Sequence, residues 1–78
     1  KRSSRTLARY TVEAARVLGK LIQQGRKRRR MTQADLAERL GIARSTLQRV
    51  ERGDPRVEIG IMFEAATLVG VQLFDEDR

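Results

Sequence analysis

The sequence predicts an all-α fold, a compact bundle of four or five helices with a sharp turn between two of them at its centre. Two observations carry this prediction. Apolar residues recur at intervals of three and four positions along most of the chain, which is the period of a helix with one buried face. Residues that typically start or stop helices separate these segments, at Thr32, Gly41, Gly53 and Gly70.

The first helix is predicted to begin near Thr11. Its apolar residues follow a helical period and are Val12, Ala15, Val17, Leu18, Leu21 and Ile22. Gly19 and Gly25 weaken this helix without ending it. The basic run at 26–30 can continue the helix with its charges in water, and positive charge suits the carboxyl end of the helix dipole.

The second helix is predicted at 33–40, with Thr32 as its N-cap. Asp35 stands three residues after Thr32, so its carboxylate can return the capping hydrogen bond. Gly41 suits the left-handed backbone conformation that commonly ends a helix. Both ends of this helix are thus set by local signals.

The third helix is predicted at 44–51, with Leu47 and Val50 on its buried side. Gly53 ends it, and Pro55 prevents its continuation because proline lacks the backbone N–H. The buried pair leaves the polar residues of this helix on its outer face.

The last apolar segment has two readings at its start. Residues 57–63 alternate like a strand, but the segment as a whole is too long for a lone strand and repeats with the period of a helix. We predict a helix at 58–69. Residues 71–74 then form either a short C-terminal strand or a segment that docks on the domain.

The two central helices have the residues that a helix-turn-helix requires. Ala37 is small where the second helix is crossed, and Gly41 tolerates positive φ in the turn. Ile42 supplies an apolar anchor in that turn. Leu47 and Val50 then point back into the core, so the positions form one consistent set.

Charge is distributed unevenly along the 78 residues. Residues 1–30 contain eleven Lys and Arg against one acid, whereas residues 57–78 contain one Arg against five acids. We predict a flexible basic tail at 1–9, a helix-turn-helix domain at 10–74 and an acidic end at 75–78. A basic half points to a polyanionic partner, with nucleic acid first; a solvated basic face is the alternative.

Composition excludes several classes of function. The chain has no Cys and no His, so it lacks disulfides, thiolate metal sites and the commonest general base. No glycine loop that would cradle phosphate is present. We therefore expect no enzyme activity, no cofactor and no metal. No apolar run is long enough to span a membrane, and we expect a soluble cytoplasmic protein.

The stretch "MTQADLAERLGIARSTLQRVERGD" resembles the Xre, or phage-repressor-like, helix-turn-helix family. The resemblance covers about residues 22–71 and implies that the third helix is a recognition helix in the major groove of DNA. The flanking segments "RYTVEAARVLGKLIQQGR" and "GDPRVEIGIMFEAATLVGVQLF" are similar to HipB-type antitoxins, which pair with a HipA-like kinase toxin.

The family resemblance also implies roles for individual residues. Those matched to base edges are Arg44, Ser45, Gln48 and Arg49. Those matched to the phosphate backbone are Gln33, Thr46 and Thr32. Arg52 flanks the end of the third helix and is expected to contact phosphate. Arg28 is expected either to contact phosphate or to lie on a solvated face. An ion pair between Arg26 and Glu51 is expected to tie the first helix to the third.

Two residues depart from the family pattern. Ala43 stands where Ser or Thr is frequent, so a side-chain cap of the third helix is expected to be lost. Arg30 stands where glycine is common, so the backbone angle before the second helix is expected to differ.

A module of this size usually binds a palindromic operator in double-stranded DNA as a two-fold dimer. The C-terminal segment is more apolar than a domain this small needs, so we predict a homodimer interface there. Its residues are Ile59, Met62, Phe63, Val71, Leu73 and Phe74.

The sequence thus predicts a DNA-binding transcriptional repressor, with an antitoxin that represses its own operon and binds a HipA-like toxin as the leading form. The alternatives are a stand-alone Xre-type repressor and a protein-interaction module that has lost DNA binding.

Overall fold

A computed structural model describes residues 6–74 of the chain as a bundle of helices. The four helices are α1 (Arg9–Arg28), α2 (Gln33–Leu40), α3 (Arg44–Glu51) and α4 (Ile59–Leu68). This confirms the all-α prediction and the central pair of helices. Arg9 already belongs to α1, two residues before the predicted start. The rest of the predicted tail is described only at residues 6–8, and the acidic end lies outside the described residues.

The alternative of a C-terminal strand was wrong, since residues 6–74 contain no strand. Residues 71–73 have no regular secondary structure, because no second strand lies beside them to pair with. Val71 and Leu73 instead pack against the core as half-buried side chains. The docking alternative for this segment therefore describes it correctly.

The core lies where α2 and α3 cross between α1 and α4. Its buried apolar residues are Ile22, Leu36, Ala37, Leu47, Val50, Val57, Met62, Ala65, Ala66 and Val69. Leu47 and Val50 are fully buried, as predicted. Burial of a large apolar side chain contributes about 1.5–3 kcal/mol. A core of ten residues that includes three alanines therefore leaves the domain dependent on its polar contacts as well.

The start of α2 is fixed by a reciprocal capping box. The Thr32 hydroxyl accepts the Asp35 backbone N–H at 3.0 Å, and the Asp35 carboxylate accepts the Thr32 backbone N–H at 3.0 Å. The hydrogen bond from the Thr32 backbone N–H to the Asp35 carboxylate, and then the Thr32 hydroxyl beside it, hold the pKa of Asp35 below its ordinary value. The predicted cap is confirmed, and its contribution to stability is present at neutral pH and lost as pH falls through the lowered pKa.

Each of the four helices ends in the same left-handed turn, at Arg30, Gly41, Gly53 or Gly70. After α2, the backbone N–H of Gly41 donates to Glu38 and that of Ile42 to Ala37, the pattern of a Schellman motif. Arg30 forms this turn with φ of 57° although it is not glycine. The expected change of backbone angle before α2 was therefore wrong, because Arg30 adopts the glycine-like conformation at a cost of roughly 1–2 kcal/mol.

Two glycines in α1 are packing requirements. A Cβ at Gly19 would lie 2.5 Å from the backbone oxygen of Val50, and a Cβ at Gly25 would lie 2.7 Å from that of Val69. Sequence reasoning identified these glycines only as weak points of the helix. They bring α1 into backbone contact with the ends of α3 and α4, and so fix the position of α3.

Candidate nucleic-acid interface

The outer face of α3 presents polar residues because its apolar pair is buried. Arg44 and Ser45 in the first turn are exposed, and Gln48 and Arg49 one turn later are half-buried. Ala43, the N-cap, provides no side-chain hydrogen bond, as expected from its sequence. The four residues matched to base edges therefore lie on the side of α3 that faces away from the core.

The start of α2 lies beside this face and is joined to it by two glutamines. Gln33 Nε2 donates to Glu51 Oε1 at 3.0 Å, and Gln33 Oε1 accepts from Gln48 Nε2 at 3.5 Å. The structure thus brings together one residue matched to phosphate and one matched to a base edge. The other two residues matched to phosphate near these helix starts, Thr32 and Thr46, are exposed and half-buried respectively.

A buried ion pair supports these glutamines from below. Arg26 Nε donates to Glu51 Oε2 at 2.7 Å, and Arg26 Nη2 donates to Glu51 Oε1 at 3.1 Å. Their side chains are only 9% and 2% exposed. Arg26 Nη1 also donates to the backbone oxygen of Met31 at 2.8 Å. The predicted ion pair is present, and it joins α1, α3 and the turn before α2.

A second ion pair, which sequence reasoning missed, also lies at the carboxyl end of α3. Arg49 Nε donates to Asp54 Oδ2 at 2.9 Å, and Asp54 Oδ1 accepts the backbone N–H of Arg56 at 2.9 Å. The hydrogen bond from Arg56 and then that from Arg49 lower the pKa of Asp54 below its ordinary value. The signal available in the sequence was an acid directly after the glycine that ends the helix.

The basic residues at the end of α1 have different environments. Arg28 is exposed, as is Arg52 just after α3, so both side chains remain accessible to phosphate. Arg29 Nη1 instead donates to the backbone oxygen of Val69 and so caps the last turn of α4. The basic run is therefore not one uniform solvated surface.

The residues predicted for a dimer interface separate into two groups. Ile59 is 66% exposed, Phe63 37% and Phe74 69%, and the two phenylalanine rings meet edge to face with centroids 6.2 Å apart. Val71 and Leu73 are half-buried beside them. Met62 is only 6% exposed and belongs to the core, so its side chain is not available on this surface.

Residues 6–74 hold no group of three or more His, Cys, Asp or Glu side chains placed to bind a metal ion. None of the described helices combines the length and the apolar character that a membrane crossing requires. The same residues leave no buried side-chain nitrogen or oxygen without a hydrogen-bond partner.

Comparison with known families agrees with the geometry. A family model described as helix-turn-helix matches residues 22–75, which is most of the chain. The protein therefore belongs to this Xre-like helix-turn-helix family, a family of DNA-binding domains and not of enzymes. It is accordingly a DNA-binding transcription regulator. No curated protein and no solved structure shows a significant match to the chain.

Proposed function

We propose that this protein is a sequence-specific repressor that reads DNA with the outer face of α3 in the major groove. The observation that carries the proposal is the burial of Leu47 and Val50, which leaves Arg44 and Ser45 exposed on the first turn. In a helix-turn-helix docked on DNA, that turn meets the base edges. We also propose that the protein is cytoplasmic, because it must reach the DNA that it regulates.

Arginine is well suited to this position. A guanidinium donates two parallel hydrogen bonds to O6 and N7 of guanine, and each such pair discriminates by about 1–3 kcal/mol. We assign Arg44 and Arg49 to base pairs, with Ser45 and Gln48 beside them. A module that binds only proteins would favour an apolar surface here, whereas this face is polar and positively charged.

The phosphate contacts would surround this face. Backbone N–H groups at a helix start attract an anion, and Gln33 and Thr32 stand at the start of α2. The other side chains that we assign to phosphate are Thr46, Arg28 and Arg52. These contacts would set affinity and orientation but not sequence preference.

Replacing Arg44 with alanine should distinguish its contribution to sequence preference from its contribution to nonspecific electrostatic binding. We expect Arg44→Ala to weaken binding to a selected operator by about tenfold or more relative to random DNA. Arg28→Ala removes the same charge at the end of α1 and serves as the matched control. It should weaken binding to the operator and to random DNA alike. It should also reduce the slope of log affinity against log salt concentration by about one. Titrations at several salt concentrations measure this, and unchanged operator preference in Arg44→Ala would show that the recognition face is misassigned.

We further propose that two copies associate through an α4 surface, defined as Ile59, Phe63, Val71, Leu73 and Phe74, and bind a palindromic operator. Three of these residues expose much of their apolar side chains to solvent. An exposed apolar cluster of this kind is typical of a protein contact.

Sedimentation equilibrium at micromolar concentration tests the dimer. The unmodified protein should sediment as a dimer, and Ile59→Asp should sediment as a monomer because a charge would be buried at the contact. Val17→Asp is the matched control, since Val17 is an exposed apolar residue of α1. A monomeric unmodified protein, or a dimer that Ile59→Asp leaves intact, would eliminate this interface.

We propose further that the repressor is an antitoxin that binds a HipA-like kinase toxin. The resemblance of the flanking segments to HipB-type antitoxins supports this proposal. A stand-alone repressor is the alternative. Footprinting on the DNA upstream of its own gene, with and without the product of the adjacent gene, distinguishes the two. An antitoxin should protect that DNA and form a larger protected complex with the neighbouring protein; an unchanged footprint would favour the stand-alone repressor.

A further inference from the structure

We propose that Asp54 is a positioning residue for DNA specificity, because it holds the Arg49 guanidinium by Nε and leaves both Nη groups for one base pair. The inference rests on the proposed function and adds a residue outside α3 to the recognition site. Asp54 itself would not touch a base.

Asp54 is held firmly in place by its own surroundings. Its Oδ1 accepts the backbone N–H of Arg56, and its backbone N–H donates to the backbone oxygen of Arg49 at 3.0 Å. The preceding residue, Gly53, is buried, and a Cβ there would lie 2.5 Å from the Cα of Arg16. The carboxylate is therefore anchored through its backbone, through one oxygen and through a turn packed on α1.

The remaining carboxylate oxygen reaches Arg49 through one specific atom. Asp54 Oδ2 accepts from Arg49 Nε at 2.9 Å, and within residues 6–74 the structure gives no partner for Nη1 or Nη2. Guanine offers two acceptors, O6 and N7, to a pair of N–H donors. A guanidinium fixed at Nε presents that pair of donors on a side chain that has already lost much of its rotational freedom.

Stability alone does not account for this pair. The Arg49 and Asp54 side chains are 43% and 31% exposed, and a partly exposed ion pair contributes little to the free energy of unfolding. The hydrogen bonds that lower the pKa of Asp54 keep it ionised at neutral pH. A charged, anchored carboxylate next to a DNA-binding face repels phosphate, so a gain in specificity is the function that fits its position.

Binding assays on variants test the inference. The operator is first selected from a random-sequence DNA pool with the unmodified protein. Fluorescence anisotropy then measures the affinity of Arg49→Ala, Asp54→Ala, Asp54→Asn and the double variant for that operator, for each single base-pair change in it, and for unrelated DNA. Circular dichroism and urea unfolding check that each variant folds.

We expect Asp54→Ala to lower the ratio of operator to unrelated-DNA affinity by about tenfold, at the same base pair that Arg49→Ala affects. Asp54→Asn keeps the shape of the side chain but loses its charge. Its ratio of operator to unrelated-DNA affinity should lie between those of the unmodified protein and Asp54→Ala. The double variant should lose no more specificity than Arg49→Ala alone, since both changes act through one contact. Glu58→Gln is the charge control, and it should raise both affinities alike.

Two results would overturn the inference while leaving the proposed function intact. In one, Arg49→Ala loses specificity and Asp54→Ala does not. In the other, Asp54→Ala raises operator affinity more than unrelated-DNA affinity, which would mean that Asp54 restrains Arg49. If the random pool yields no preferred sequence, the proposed function fails, and the inference fails with it.

Discussion

The buried pair of Arg26 and Glu51 is the interaction on which the rest of the structure depends. A charge removed from water is costly unless it is paired and hydrogen-bonded, and here the guanidinium meets both carboxylate oxygens and one backbone oxygen. Glu51 is also the acceptor for Gln33, which in turn accepts from Gln48. The position of the proposed DNA-binding face is therefore linked through hydrogen bonds to a pair in the interior.

The exposed surface divides into regions with different chemistry. The first turn of α3 is polar and positive, whereas α4 and the segment after it expose apolar side chains, Ile59 and Phe74 above all. Arg29 shows that position in the sequence does not decide a role, since it caps α4 while its neighbour Arg28 stays in solvent. The proposed dimer would use this apolar region, whose residues lie outside α3.

Local signals made α2 and α3 predictable from the sequence. The Thr32 cap and the turn at Gly41 act within a few residues, so the bounds of both helices were correct. Contacts between distant parts of the chain were not predictable in this way. The backbone approach at Gly19 and the burial of Met62 depend on where other helices lie. The Arg26–Glu51 pair was expected only because the family resemblance supplied it, and the Asp54 contact with Arg49 was missed altogether.

A double-mutant cycle that measures free energies of unfolding tests the role of the buried pair most directly. The cycle compares Arg26→Met, Glu51→Met and the variant with both changes by urea unfolding. Each single change leaves a buried charge without its partner and should lower stability by about 3–5 kcal/mol, and the double variant should lose much less than the sum. Losses below about 1 kcal/mol for the single variants, or losses that simply add, would contradict this account.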